Sequence, residues 1–310
     1  MCREVSVLRI RMIINPVAGT KTVQKTAIRI SDKLVKDGVA ERVDIFKTQK
    51  EGDAYREARS LSDYDCVVAV GGDGTVNEVL YGVIKSGSNI PVAVLAAGTV
   101  NDFAYSLGLP NTCDEFCDMI KHARVEKIDM GLCQDRYFAN VVAGGAFSEV
   151  AYSVSADRKN RFGKLAYYVS GAKTLPKTVR KSEKLVFEYD GGKMEVDTFL
   201  FLISNTSSVG GFRKISPFAK VDDGMLDVCI IKKIKTRRIF PLFIKLWGGK
   251  HTNDKDVIYF QTNNLKVSCV QEGERLPLDI DGEKIGTLPA QIECIRGAIR
   301  LFVTENMNFN

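Results

Sequence analysis

One tryptophan, two histidines and no apolar run near the ~18–20 residues of a membrane span mark what this sequence does without. The missing apolar run excludes a transmembrane helix as a reading. The first residues, Met1 to Glu4, carry an acid and lead into their apolar stretch with no small-residue cleavage pattern, so a cytosolic chain is expected. Of the eight cysteines, the closest two, Cys113 and Cys117, lack C-x-x-C spacing, and only His122 and His251 could join them as metal ligands. They read as free thiols in a reducing compartment. Two phosphate-loop signatures are also missing. No G-x-x-x-x-G-K-[ST] occurs, and the dinucleotide fingerprint would need a third glycine where Asn77 stands.

What is present is a chain of 310 residues, 45% apolar and 26% charged, longer than one domain normally uses. Its net charge of +6 is unevenly spread. Residues 157–184 hold nine Lys/Arg against Asp157 and Glu183, and residues 231–250 hold seven Lys/Arg and no acid. Such clusters suit an anionic partner, nucleic acid or membrane surface, and equally a solvated face. No nucleic-acid recognition motif accompanies them, so nucleic acid is not expected as a partner.

The first third alternates strand and helix patterns. Ile10–Ile14 reads as a strand, and Val23, Ala27, Ile30 and Leu34 share a helical face that stops at Gly38. Residues 42–46, 66–70 and 91–95 read as further strands, with helices over 52–61 and 75–85, which predicts an α/β domain with a mostly parallel sheet. After about Gly131 strand-like runs crowd together, at 137–142, 184–189, 193–203, 226–231, 257–260 and 265–269, interrupted by helical stretches near 161–175 and 236–248. A β-rich sandwich is expected there. The domains are set at 1–130 and 131–297, and the tail 298–310 could return to the first.

Three strands run into turns able to hold an anion. Cys66–Val70 enters Gly71-Gly-Asp-Gly-Thr75 and then a helix, so backbone N–H groups and a helix N-terminus face one point. An Asp inside such a loop would repel phosphate unless Mg²⁺ or a proton-transfer role offsets it. Asn15-Pro-Val-Ala-Gly19 closes the first strand, and Gly98-Thr-Val-Asn-Asp102 follows the fourth. In an open parallel sheet all three would meet at the C-terminal strand ends.

These three loops, with Asn77-Glu78 and the later Asp222-Asp-Gly-Met-Leu-Asp227, resemble the diacylglycerol kinase catalytic family over nearly the whole chain, and most closely its soluble bacterial lipid kinases. The G-G-D-G loop alone is shared with NAD kinases and phosphofructokinases, whose type of α/β fold is then expected. G-T-V-N-D-F-A and D-D-G-M-L-D favour the lipid kinases. The resemblance implies ATP held by Asn15, Pro16, Val17, Ala18, Gly19, Thr48, Gly72, Asp73, Gly74, Thr75, Val76, Asn77, Glu78 and Thr99, in a cleft between the domains. It also implies a Mg²⁺ site at Asp223 with the carbonyls of Lys220 and Met225; read alone, that loop is a turn before a strand.

Leu278-Asp-Ile-Asp-Gly-Glu283 resembles the family's D-G-E motif. Phosphoryl transfer asks for positioning, charge neutralisation and a carboxylate to take the hydroxyl proton. Asp281 is the first candidate for that base and Glu283 the second. If the segment is one strand, Asp279 points with both; read alone, it is a glycine-bearing turn with solvated carboxylates. Asp73 and Asp129 match acids that the family links to the D-G-E acid through Mg²⁺ or water, whereas Asp129 taken alone reads as a surface residue.

The expected function is therefore transfer of the ATP γ-phosphate to the hydroxyl of diacylglycerol or a related lipid, by a protein that meets the inner membrane face transiently and could pair as a homodimer. A kinase for a soluble acceptor such as NAD, and a non-catalytic ATP-binding regulator, are the alternatives. Small residues at 143–147 and 204–212 could line an acyl groove or form tight loops. Arg237–Trp247, apolar with basic flanks, could lie in a bilayer interface or be a core helix.

Overall fold

A computed structural model describes residues 7–19, 23–145, 182–305 and 307. The helical stretch near 161–175, most of the basic segment 157–184 and residues 146–147 lie outside them. Contacts divide the chain into two units. The first comprises Met1–Met130, Val221–Gly224 and Ile295–Asn310, and the second Gly131–Lys220 and Met225–Cys294.

In the first unit, β1 (Leu8–Ile14), β2 (Ala40–Lys47), β3 (Cys66–Gly71) and β4 (Val92–Ala96) pair in parallel in the order β4-β3-β1-β2. β3 is buried at all six positions, as a central strand covered on both faces requires. Helix α1 (Val23–Lys36) buries Val23, Ala27, Ile30 and Leu34, the face its spacing predicted. α2 (Asp53–Ala58), α3 (Asp73–Ser86), α4 (Asp102–Ser106) and α5 (Cys113–His122) complete the helices described in this unit. α5, absent from the sequence reading, starts at a side-chain N-cap: the Thr112 hydroxyl accepts from Glu115 N and donates to the Glu115 carboxylate.

Two long strands also escaped the sequence reading, β5 (Val125–Cys133) and β15 (Ala290–Phe302). The C-terminal part of β15 joins the parallel sheet beside β4 through Leu301 and Val92. The tail follows: Val303 N donates to Arg124 O at 3.0 Å, and the Arg124 guanidinium donates to the Glu305 and Met307 carbonyls.

The second unit is β-rich and sandwich-like. The predicted strand 137–142 is two strands, β6 (Arg136–Phe138) and β7 (Val141–Gly145), because the chain bends at residues 139–140. Antiparallel pairs then join β7, β8 (Glu183–Tyr189), β9 (Gly192–Ser204), β10 (Leu226–Lys232), β11 (Val257–Thr262), β12 (Asn264–Cys269) and the hairpin β13 (Pro277–Ile280)–β14 (Glu283–Thr287). β9 and β10 are apolar at successive positions because alternate residues serve different cores. Phe201, Ile203, Val228 and Ile230 enter one; Leu200, Leu202, Cys229 and Ile231 enter another. Leu242 of helix α6 (Thr236–Trp247) belongs to the second core, with Ile239 and Leu246 packed against it.

A buried carboxylate fixes α6 from within. Asp254 accepts from Arg238 Nη2 at 2.7 Å, Lys245 Nζ at 2.6 Å and Asp256 N at 3.0 Å. Burial pushes this carboxyl up, but Lys245, the Asp256 N–H and Arg238 outweigh it and hold it at about 2. Its unfolded value is higher, so its stabilising contribution is complete above about pH 4 and is lost as pH falls towards 2. Acid titration followed by fluorescence of Trp247, the chain's single tryptophan, should show α6 loosening in that window. An Asp254→Asn variant should lack the transition.

Candidate functional site

In the first unit the three glycine-bearing loops sit at the C-terminal ends of β1, β3 and β4. The ladders continue into them: Asn15 N donates to Val70 O at 3.0 Å, Ala97 N to Gly71 O at 2.8 Å and Thr48 N to Ile14 O at 3.0 Å. Only glycine lets them come this close. A Cβ on Gly98 would stand 2.5 Å from Gly72 Cα, one on Gly72 would stand 3.3 Å from Gly98 Cα, and one on Gly19 would overlap the Ala97 carbonyl.

Side chains lock the junction. Asn101, in left-handed conformation at φ 56°, accepts from Gly98 N at 2.8 Å and donates to Gly98 O at 3.0 Å. The Asn15 amide donates to the Thr75 hydroxyl at 3.3 Å, and its oxygen accepts from Val17 N at 3.1 Å. Asp73 opens α3 and accepts from Phe103 N at 3.1 Å. Gly72 caps α3 without a side-chain bond, so the first N–H groups of the helix have no capping side chain. Asn77, 4% exposed, has an Oδ1 with no hydrogen-bond partner among the described residues. Glu78 faces elsewhere: its carboxylate accepts from Gly52 N, Ala54 N and Tyr55 N at 3.0–3.3 Å and so caps α2. Val17 and Thr99 are exposed on their loops, and Thr48 follows β2. The motif alone assigns Asn101 no role; its place three residues after Gly98 is the available signal.

Asp129 is not a surface residue. It is 2% exposed, and its carboxylate accepts from Gly224 N and Gly297 N, both at 2.7 Å. With Asp129 N donating to Val221 O, it fastens residues 221–224 to the first unit, although the sequence reading assigned them to the second domain. Asp223 is half-buried in that loop, and its carbonyl accepts from Arg296 at 3.3 Å. Among the described residues no three His, Cys, Asp or Glu side chains converge as a metal cluster. Asp223 offers a carboxylate beside the carbonyls of Lys220 and Met225, all-oxygen donors of the kind a hard cation takes together with waters.

The three acids near Asp281 do not share a strand face. Asp281 and Gly282 both have positive φ, 49° and 90°, and form the two-residue turn between β13 and β14. The Asp279 carboxylate closes that turn by accepting from Gly282 N at 2.8 Å, and burial pushes its carboxyl up. Nor is Asp281 a solvated turn residue. It accepts from Ala139 N, Asn140 N and Val141 N at 2.7–2.9 Å and thereby holds the bend between β6 and β7. Glu283 pairs with Arg136 Nη2 at 2.6 Å, a partner the sequence did not reveal.

Residues 9–133 match the diacylglycerol kinase catalytic domain, and 140–303 match the YegS C-terminal NAD kinase beta sandwich-like domain. Over 286 residues the chain is 34% identical to the diacylglycerol kinase of Bacillus subtilis, covering 91% of this chain and 92% of that one. The chain belongs to the diacylglycerol kinase catalytic family. Another member, the diacylglycerol kinase of Staphylococcus carnosus, is 32% identical over 301 residues, 96% of each chain. Two solved Bacillus anthracis structures share the fold. One has a TM-score of 0.81 at 26% identity, covering 97% of this chain and 96% of that one. The other, a diacylglycerol kinase, has a TM-score of 0.76 at 23% identity, covering 97% and 98%.

Asp129→Ala tests the buried anchor shared by this family member's two glycine amides. It should cost about 1–3 kcal/mol for each N–H left unpaired, read as a lower denaturant midpoint and faster amide exchange at 221–224.

Proposed function

We propose that the protein transfers the terminal phosphoryl group of ATP to the hydroxyl of diacylglycerol or a related lipid. The observation that carries this reading is the glycine-only junction of three loops at the start of α3, in a chain whose relatives are diacylglycerol kinases. Asn15–Gly19, Thr48, Gly72–Asn77 and Thr99 would hold the nucleotide, with Glu78 supporting them through α2. The uncapped N–H groups of α3 suit the phosphates, and the unpartnered Asn77 Oδ1 and the Cβ-free cradle fit a polar ligand there.

Asp223, with the carbonyls of Lys220 and Met225, would hold Mg²⁺, which when bound screens phosphate charge. Asp73 would orient phosphate-bound cation or water, and Asp129 would keep the 221–224 loop in register. For the proton acceptor the geometry favours Glu283 over Asp281. A carboxylate has about four acceptor positions, and three backbone N–H groups already engage Asp281. Glu283 follows the turn, and Arg136 orients it. It would take the hydroxyl proton as the acceptor oxygen attacks in line, with no covalent phosphoenzyme.

The acceptor's solubility implies a protein that meets a membrane surface without crossing it. Among the described residues no helix is long and apolar enough to cross. A soluble acceptor such as NAD is the second reading, favoured by the NAD kinase-like description of the matched sandwich.

The test is phosphate transfer from labelled ATP·Mg²⁺ to diacylglycerol, phosphatidylglycerol, monoacylglycerol and sphingoid bases in mixed micelles, with NAD in parallel. Labelled lipid is expected; labelled NAD alone would replace the reading. Glu283→Gln should lower turnover about 10²–10⁴-fold with the fold intact, whereas Asp281→Asn should lower stability first. An Asp281→Asn protein that is fully stable yet inactive would return the base to Asp281.

A further inference from the structure

Helix α6 is apolar inside and outside. Ile239, Leu242 and Leu246 pack into the core of the second unit, and Arg238 and Lys245 are tied to Asp254. On the outside, Phe240 is 71% exposed, Ile244 56% and Trp247 52%. Their spacing of four and three residues puts them on one face. Trp247 also leans edge-on against Phe212, at 5.5 Å between ring centroids. Folding of the second unit accounts for the inner face and leaves the outer one unexplained.

Charge identifies its partner. Lys235 and Arg237 flank the apolar row at one end and Lys250 at the other, all exposed, with Lys214 packed beside Gly249. Segment 231–250 contains no acid. A second copy docked about a twofold axis would set these like charges against one another. An anionic lipid surface takes apolar and cationic groups together, and a helix of 12 residues is too short to cross it.

We propose that the outer face of α6 lies on an anionic bilayer, with Phe240, Ile244 and Trp247 at the boundary of headgroups and acyl chains and Lys235, Arg237 and Lys250 on lipid phosphates. The proposal rests on the reading of the acceptor as a lipid dissolved in a membrane. It names the surface by which the protein reaches that acceptor.

The test uses the full chain with vesicles of phosphatidylcholine, with and without phosphatidylglycerol, at low and high salt. Trp247 emission should shift to the blue and be quenched by brominated acyl chains only with anionic vesicles. Salt should weaken the effect. Arg237→Gln with Lys250→Gln should partition roughly 25-fold more weakly, about five-fold for each charge removed, and Phe240→Ser with Ile244→Ser should lose quenching. All variants should keep wild-type circular dichroism and wild-type turnover on a dispersed short-chain diacylglycerol. Wild-type emission indifferent to anionic vesicles, or variants that partition like the wild type, would overturn the surface even if the short-chain lipid is phosphorylated. So would a wild-type dimer that Phe240→Ser dissolves. Vesicle binding that the variants abolish, without phosphorylation of any lipid, would support the surface and sink the kinase reading.

Discussion

The absence of side chains at three positions governs the candidate nucleotide site. Gly98 and Gly72 meet backbone to backbone, and Gly19 lies against the Ala97 carbonyl, with no room for a Cβ on Gly98 or Gly19 and a tight fit for one on Gly72. That approach lets turns leaving three parallel strands share one centre, and everything around it serves to hold it. Asn101 brackets Gly98 at both its N–H and its carbonyl, Asn15 reaches Thr75, and Asp73 ties the start of α3 to α4 through Phe103 N. A loop whose backbone is held this way needs little reorganisation to accept phosphate oxygens, and phosphoryl transfer depends chiefly on such positioning.

A second device recurs in both units. Carboxylates that read as site residues in the sequence accept backbone N–H groups and fix loops: Asp129 holds Gly224 and Gly297, Asp281 holds residues 139–141, and Glu78 holds the start of α2. Each satisfies donors that the local secondary structure leaves over, which would otherwise cost about 1–3 kcal/mol apiece. Acid content alone therefore could not divide chemistry from scaffolding. Asp281 is the first candidate base because its motif marks it, and only the structure shows that three amides far away in sequence also engage it.

Most of the first unit was legible because its signals are local. Helix α1 and strands β1 to β4 follow from apolar spacing and from glycines at the strand ends. β15 was not legible, because Gly297 at φ 57° shifts the strand's phase. Before it the buried residues are Ala290 and Ile292, and after it Ile299, Leu301 and Phe302, so no single alternation runs through the segment. The bend at residues 139–140 was equally hidden, since its cause is Asp281, about 140 residues away. The convergence of the three loops was readable for the opposite reason: each is a short turn directly after a strand, and the parallel sheet brings them together.

α6 shows where periodicity stops deciding. A helix apolar on all sides is read as buried, and its inner face fits that reading. The exposure of Phe240, Ile244 and Trp247 separates a second apolar row from the first, and Asp254 separates the charges too, drawing Arg238 and Lys245 inward while Lys235, Arg237 and Lys250 stay exposed. A basic helix fully paired on its inner side would have no cations left for a surface. Here the inward pair anchors the helix, and the outward cations frame an apolar row that only a partner both apolar and anionic would satisfy. For a protein whose relatives act on diacylglycerol, the bilayer that dissolves such a lipid has both properties.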